Sequence, residues 1–401
     1  MTELEDAESH GVATEKHVRE VAATLGLSDF VYRAQLVQKG GGNREPGDAI
    51  LFANGLGAIV QVKSREPAAA AADSPERVQR WIDKHGAKAV KQAHGTRREL
   101  CRLRDLGASP LALPVRAAHL PEDQQRLAGL PLAMDTIESW PTIIVLDHPL
   151  VGDAVSPLPN DVFWITLPDW AELHRATRST TGLLTYVTRV IAADPTPNWV
   201  LGRENDRFAE FVAADSRASN SGAGFFNWST LEESEAVDAY RSILDRVWPQ
   251  SGQLPAVPIN EYRLIVEHLD GMPPGAAAQI GQWISGKIEA ANNERTWVSG
   301  CLIVENRLTV FAADQRAKYE DVKYFTSDLM ALVTLRTRQI MSKTSEAVNA
   351  GAIGLLIDGS NVDYVFALST KPLDMPRELK RELEERYGVF DVQTGALRFP
   401  D

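Results

Sequence analysis

Cysteine is nearly absent. Of 401 residues only Cys101 and Cys301 are thiols, 200 positions apart. That spacing excludes a zinc finger, a zinc ribbon and a disulfide framework. Long apolar runs are missing too: the longest, around Ala350–Ile357, is far shorter than the roughly 20 residues a membrane-spanning helix needs. The N-terminus opens acidic (Met1-Thr-Glu-Leu-Glu-Asp), with no basic segment and no apolar core of the kind a signal peptide carries. The expectation is a protein of the reducing cytoplasm with no membrane partner. At 44% hydrophobic and 24% charged residues, the chain is neither disordered nor a miniprotein, and its length predicts two or three domains.

Basic charge is scarce overall, with a formal net charge of −12. Its distribution is uneven. Residues 1–110 hold 16 Lys/Arg against 15 Asp/Glu, whereas the remainder holds 26 against 39. Within 75–104, nine basic residues stand against three acidic ones. A local basic surface is what phosphate binding requires; global charge mainly sets solubility and approach rate.

Periodicity predicts a helix over 14–27, with Val18, Val21, Ala22 and Leu25 at helical spacing and Gly26 stopping it. A strand follows over Phe30–Val37, then a loop from Lys39 to Gly47. Asp48–Ala53 and Ala58–Lys63 read as strands of one hairpin around Asn54-Gly55, both of which tolerate positive φ. After an alanine-rich connector, Glu66–Asp73, Ser74 caps a helix with Pro75 at its first position; Gly86 is expected to close it, with a second helix over Ala87–Leu103. Strands are expected at Trp140–Asp147 and Val162–Leu167, and a surface helix at Trp170–Thr177 carrying Glu172 and His174. Asp147-His148 reads as a pair of polar strand-end caps. The segment Ala193-Asp-Pro-Thr-Pro-Asn198 marks a domain boundary. Beyond it, helical patterns (232–247, 260–269, 276–291, 321–348) alternate with strands (301–305, 308–313, 354–358, 364–369). Trp228, Trp248, Trp283 and Trp297 are read as core.

Two nucleotide motifs are grazed and rejected. Gly55-Leu-Gly57 joins two strands of a hairpin instead of opening a helix, and Gly281…Gly286-Lys287 lacks both the hydroxyl and the loop of a phosphate-binding turn.

One constellation carries chemistry. Gln61 and Lys63 are two apart on a strand and so share a face. Both are costly there unless partnered, and Asp48 at the head of the neighbouring strand is the candidate partner. An Asp48 carboxylate, a Gln61 amide oxygen and the Val62 carbonyl are hard oxygen ligands suited to Mg²⁺ or Mn²⁺. Lys63 beside them would orient or deprotonate a metal-bound water and offset charge on an attacked phosphate.

Glu20 in the first helix, Gly47-Asp48, and Gln61-Val62-Lys63 on the following strand together resemble the PD-(D/E)xK nuclease superfamily, the restriction-endonuclease-like fold, in its Mrr-type Gln-x-Lys form. The resemblance covers roughly residues 14–150. It implies a mixed α/β fold: an N-terminal αβββαβ nuclease domain over 1–195 and a second, α+β domain over 196–401 for recognition, oligomerisation or regulation. It implies Asp48, Gln61, Lys63 and Glu20 as catalytic positions, with Asp48, Gln61 and Val62 as metal ligands. The basic helix becomes the nucleic-acid face, through Lys88, Lys91, Gln92, Arg98 and Arg102. The implied activity is metal-dependent hydrolysis of phosphodiester bonds, with DNA favoured over RNA, in bacterial genome defence. A homodimer would let such an enzyme cut both strands. Gln61 departs from the usual acid; an alternative is an impaired nuclease scaffold serving as a nucleic-acid- or protein-binding module.

Overall fold

The computed structural model describes residues 9–27, 30–34, 37–39, 42–44, 47–106, 111–114, 130–131, 140–151, 158–159, 161–193, 200–219, 231–247, 259–293, 298–304, 307–341, 349–359, 361–369 and 376–378, with 381–382 and 385. The chain divides into two compact units, Met1–Arg217 and Ala218–Asp401. Both are mixed α/β. The division falls past the 195/196 boundary read from the proline segment, whose residues 194–199 lie outside the described ones.

The first unit opens with α1 (His10–Leu25), ended by Gly26, whose N–H caps the Ala22 carbonyl. Its buried stripe is Thr14, Val18, Val21 and Ala22. Strands β1 (Val31–Ala34), β2 (Val37–Lys39) and β3 (Gly42–Arg44) follow. The segment expected as a loop from Lys39 to Gly47 thus contains a strand: Gly42–Arg44 pairs antiparallel with Val37–Lys39. Two adjacent strand segments can satisfy their backbone groups by pairing with each other, a solution invisible to side-chain periodicity. Residues 40–41, in the glycine run, lie outside the described ones.

Next come β4 (Ala49–Ala53) and β5 (Leu56–Ser64), joined by the expected turn, with Asn54 at φ 53° and Gly55 at φ 74°. Those two positive angles are the signature of the tight hairpin turn whose twist matches its strands. The alanine-rich connector contains one turn of helix, α2 (Pro67–Ala70). A single helix, α3 (Pro75–Asp105), replaces the two that were expected. Gly86 does not stop it, because its role is steric. A Cβ there would stand 2.9 Å from the Trp164 ring, so glycine lets the helix lie on the indole. After β6 (Leu111–Pro114) and β7 (Leu130–Pro131) come β8 (Thr142–Asp147), β9 (Val162–Thr166), α4 (Leu167–Thr177), α5 (Thr180–Ala192) and α6 (Glu204–Ser219).

Seven described strands form one sheet in the order β7-β6-β1-β4-β5-β8-β9. β1, β4 and β5 pair antiparallel; β5, β8 and β9 run parallel. Register fixes the faces. Gln61 lies beside Ile144, which lies beside Trp164, and Trp164 packs against Gly86 of α3. That row therefore faces α3. Ser64 lies beside Asp147, whose carboxylate accepts from Thr14 of α1, and Phe163 meets Tyr186 of α5 edge-on. Those residues face the opposite helical layer, with α1 tied to α4 by Trp170 Nε1 donating to the Val18 carbonyl. His174, expected on a surface, is fully buried against Trp170, whereas Glu172 is exposed. Both faces of the sheet are covered, as parallel strands require.

The second unit contains α7 (Leu231–Val247), α8 (Ile259–Asp270), α9 (Pro274–Asn293), β10 (Val298–Val304), β11 (Arg307–Gln315), α10 (Val322–Met341), β12 (Asn349–Asp358) and β13 (Asn361–Ser369). Its sheet runs β10-β11-β12-β13, with only the β11–β12 pair parallel. The core is Phe325, Leu329, Leu332 and Val333 of α10 against Leu308, Val310, Ala352 and Leu356. α10 ends at Met341, short of the expected Val348; residues 342–348 lie outside the described ones. Gly281 and Gly286 are inside α9, in keeping with the rejected phosphate-loop motif. Trp283 packs on Phe311, with ring centroids 5.3 Å apart; Trp228, Trp248 and Trp297 lie outside the described residues. Among the described residues, no helix is long and apolar enough to cross a membrane.

Candidate functional site

The hairpin brings Asp48, Gln61 and Lys63 together at the carboxyl end of β5. Asp48 continues the ladder past β4, its N–H donating to the Val60 carbonyl at 3.2 Å. Its side chain turns to the same strand: Val62 N–H donates to Asp48 Oδ2 at 2.6 Å. The short charge-assisted bond fixes the carboxylate. Gly47 makes this possible, with φ at 149°, a conformation L side chains rarely adopt. A Cβ on Gly47 would stand 3.4 Å from Gln61 Nε2, so the glycine also leaves room for the Gln61 amide. Gln61 is only 2% exposed.

Lys63 is half-buried, and its ammonium donates to the Val62 carbonyl at 2.7 Å. Burial holds its pKa below the ordinary lysine value. The Asp48 and Glu15 carboxylates oppose that shift, and the positive charge of Lys88 adds to it. Arg19 of α1 donates to the Asp48 backbone carbonyl at 2.7 Å. The Lys63 ammonium thus rests on a strand carbonyl, within the field of two carboxylates, Asp48 and Glu15.

Glu20 is exposed. The carboxylate of α1 whose charge reaches Lys63 is Glu15. The sequence reading passed over Glu15, and a signal was available. Glu15 and Arg19 are one turn apart on a helix, and together they flank the buried Thr14/Val18 stripe on the side where Arg19 holds Asp48.

A second polar cluster lies beyond Lys63; of its members only His148 was singled out from the sequence, as a strand-end cap. Arg65 donates to both Asp73 carboxylate oxygens at 3.1 and 3.2 Å, and His148 Nε2 meets Asp73 Oδ2 at 3.2 Å. His148 Nδ1 accepts from Leu150 N–H, so Nε2 carries the proton and donates. The Arg65 hydrogen bond, then His148, holds the Asp73 pKa below the usual carboxylate range. Trp81 spaces this cluster from His85, stacking on it at 5.3 Å. Burial lowers the His85 pKa, and Lys84, Lys88, Lys63 and Arg65 push it further down. On the opposite face, Asp147 binds Thr14 Oγ1 and His10 Nε2, each at 3.0 Å. The strand-end pair 147–148 is therefore polar as expected, with each residue serving a different helical layer.

The predicted stripe on α3 divides. Lys88 adds positive charge at Lys63. Gln92 is half-buried, and its Oε1 is shielded from solvent without a hydrogen-bond partner. Lys91 and Arg98 line a groove on the other flank of the helix. Arg102 is engaged by Glu99 on its own helix at 2.6 Å, which raises its pKa.

The Asp48, Glu15, Gln61 and Val62 oxygens fit a hard divalent ion by chemistry. The Val62 carbonyl accepts from the Lys63 ammonium. Among the described residues, no three of His, Cys, Asp and Glu gather in a metal-binding group; the set here rests instead on an amide and a backbone carbonyl beside the carboxylates. No protein-family model matches the chain, and no curated protein or solved structure matches it either.

Proposed function

We propose that the chain is a metal-dependent nuclease that hydrolyses phosphodiester bonds, acting on DNA in preference to RNA, with a bacterial defence role in keeping with its Mrr-type resemblance. The observation that carries this reading is the Asp48–Val62–Lys63 arrangement. A carboxylate is locked 2.6 Å from one strand amide, and an ammonium sits 2.7 Å from the carbonyl of the same residue. With the β2–β3 ribbon, the single turn α2 and the edge strands β6 and β7 set aside as insertions, the remaining elements α1, β1, β4, β5, α3, β8 follow the αβββαβ order the resemblance implies.

Asp48, Gln61 and the Val62 carbonyl would hold Mg²⁺ or Mn²⁺, with Glu15 in the helical acid's place in preference to Glu20. The ion would supply Lewis acidity and an acidified water. The chain's own residues do the rest. Val62 N–H and Arg19 fix the Asp48 segment. Lys63, its pKa held below the ordinary lysine value by burial, exchanges a proton more readily than a surface lysine and places positive charge where phosphate charge develops. Lys88 extends that field along α3.

Gln61 favours a second reading. It brings no charge to a position where an acid would strengthen ion binding, so a nucleic-acid-binding module built on this scaffold is the alternative. Supercoiled plasmid incubated with Mg²⁺ separates the two. Nicking by the wild-type chain that is lost in Asp48→Ala and Lys63→Ala supports the nuclease. Salt-dependent binding with no nicking supports the module.

A further inference from the structure

The outer flank of α3 carries an unassigned groove of about 510 Å³, between the helix and the segment that leads into β9. Its wall and floor are apolar: Ile82, Val90, Leu158 and Pro159, backed by the Trp164 ring. Its rim carries two exposed cations, Lys91 and Arg98, against one exposed carboxylate, Asp83, which accepts from Gln79 on its own helix. The volume lies within the range of small-ligand sites, roughly 300–1,000 Å³.

The groove's shape is built in by packing. Gly86 lets α3 descend onto Trp164, and Trp164 Nε1 donates to the Pro159 carbonyl at 3.0 Å, fixing the opposite wall. His94 closes in from the helix toward Asp161, 3.7 Å away. An apolar slot with two cations against one carboxylate at its rim, in a chain of net charge −12, favours an anion that has a flat apolar part.

We propose that this groove receives one unpaired nucleotide of a nucleic-acid strand. The base lies on Val90, Leu158 and Pro159; its phosphate is held by Lys91 and Arg98. The inference rests on the nuclease reading for its choice of nucleic acid, and it adds a preference for single-stranded or locally opened substrate. A paired base cannot enter, because its apolar faces are covered by its stack. Lys88, one turn before Lys91 on α3, adds positive charge at Lys63, so the helix brings cationic charge to the hairpin as well as to the groove.

The test uses the full chain carrying Asp48→Ala, to prevent cutting, and a fluorescein-labelled oligothymidylate dodecamer beside its duplex with oligoadenylate. Anisotropy should show the single strand bound at least about tenfold more tightly, the scale of one base's apolar contact. Ala87→Trp fills the groove from an exposed helical position, and Arg98→Glu reverses its rim; each should lower single-strand affinity by at least about tenfold with unchanged thermal melting. Ala87→Ser should retain it. Equal affinity for strand and duplex, or full binding by Ala87→Trp, overturns the proposal. Groove binding without any Mg²⁺-dependent nicking by wild type would sink the nuclease reading alone, and nicking with no groove binding would sink this inference alone.

Discussion

Asp48 and Val62 are fourteen residues apart in sequence and joined at 2.6 Å, side-chain oxygen to backbone nitrogen, across the two strands of one hairpin. The bond satisfies a strand amide with a carboxylate where β4 has run out. Asp48→Ala removes both the proposed ion ligand and this partner. Nicking of plasmid with Mg²⁺ should fall by roughly 10² or more, the usual scale for a group acting on proton transfer or charge at the reacting centre. Asp48→Asn keeps the shape and an acceptor for Val62; it should retain the folded spectrum and still lose nicking. Full activity in Asp48→Asn would remove the carboxylate from the chemistry.

The two acids of α1 should separate cleanly. Glu15 places its charge on Lys63, while Glu20 is exposed. Glu15→Gln should raise the Mg²⁺ concentration needed for half-maximal nicking several-fold, and Glu20→Gln should leave it unchanged. A titration of nicking against Mg²⁺ decides, and the opposite ranking would return Glu20 to the site.

Gln61 is the point where the donor set is weakest. Gln61→Glu adds a charge at nearly the same volume. Tighter Mg²⁺ dependence or newly appearing nicking is the expected outcome. The buried position, 2% exposed, makes the substituted acid costly unless the ion is bound, so thermal stability should fall without Mg²⁺ and recover with it. A variant indifferent to Mg²⁺ in both assays would count against ion binding at the hairpin.

Stability of the first unit should depend on pH through Glu204. Burial pushes its carboxyl up to about 7, although Arg207, at 2.8 Å, and the Tyr186 hydroxyl, at 2.5 Å, both favour the ionised form. A raised acid pKa means the folded state holds the proton more tightly. The contribution is fully present below the unfolded value near 4.5 and is lost as pH rises through about 7. Over that window it is at most about 3 kcal/mol. Urea melts across pH 4–8 should show the decline, and Glu204→Gln should flatten it. An unchanged slope in the variant would assign the pH dependence elsewhere.

Gly86→Ala should destabilise although alanine is the better helix former by about 1 kcal/mol. The added methyl meets Trp164 at 2.9 Å, and overpacking against a fixed ring costs roughly 1–3 kcal/mol. Urea unfolding gives the sign directly; a more stable variant would show that the helix-to-indole approach is slack.

Particular elements show what the sequence could and could not convey. The hairpin was legible because Asn54-Gly55 forces its turn and the strands' alternation puts Gln61 and Lys63 on one face. Gly86 misled because its reason is Trp164, seventy-eight positions later, and no local pattern encodes that contact. The β2–β3 pairing was hidden because neighbouring strands satisfied each other's backbone without an apolar stripe. His174 looked like a surface residue by type, yet its helix presents it to Trp170 and the core. At the candidate site, the strand residues were readable from their spacing. Arg65 and Asp73 were not, and His148 was readable only as a strand-end cap, since their partners lie on other elements; Glu15 was signalled only by its one-turn spacing from Arg19.

Among the described strands of the seven-stranded sheet, β5 alone borrows its alignment from both kinds of neighbour, antiparallel against β4 and parallel against β8. Neither neighbour can slide by a residue without inverting which side chains point toward α3. A chain that has formed the hairpin but not yet docked β8 would own the right residues with no fixed address for them. If the proposed nuclease activity holds, its recovery during refolding should therefore coincide with closure of the parallel half of the sheet, so that nicking would time assembly.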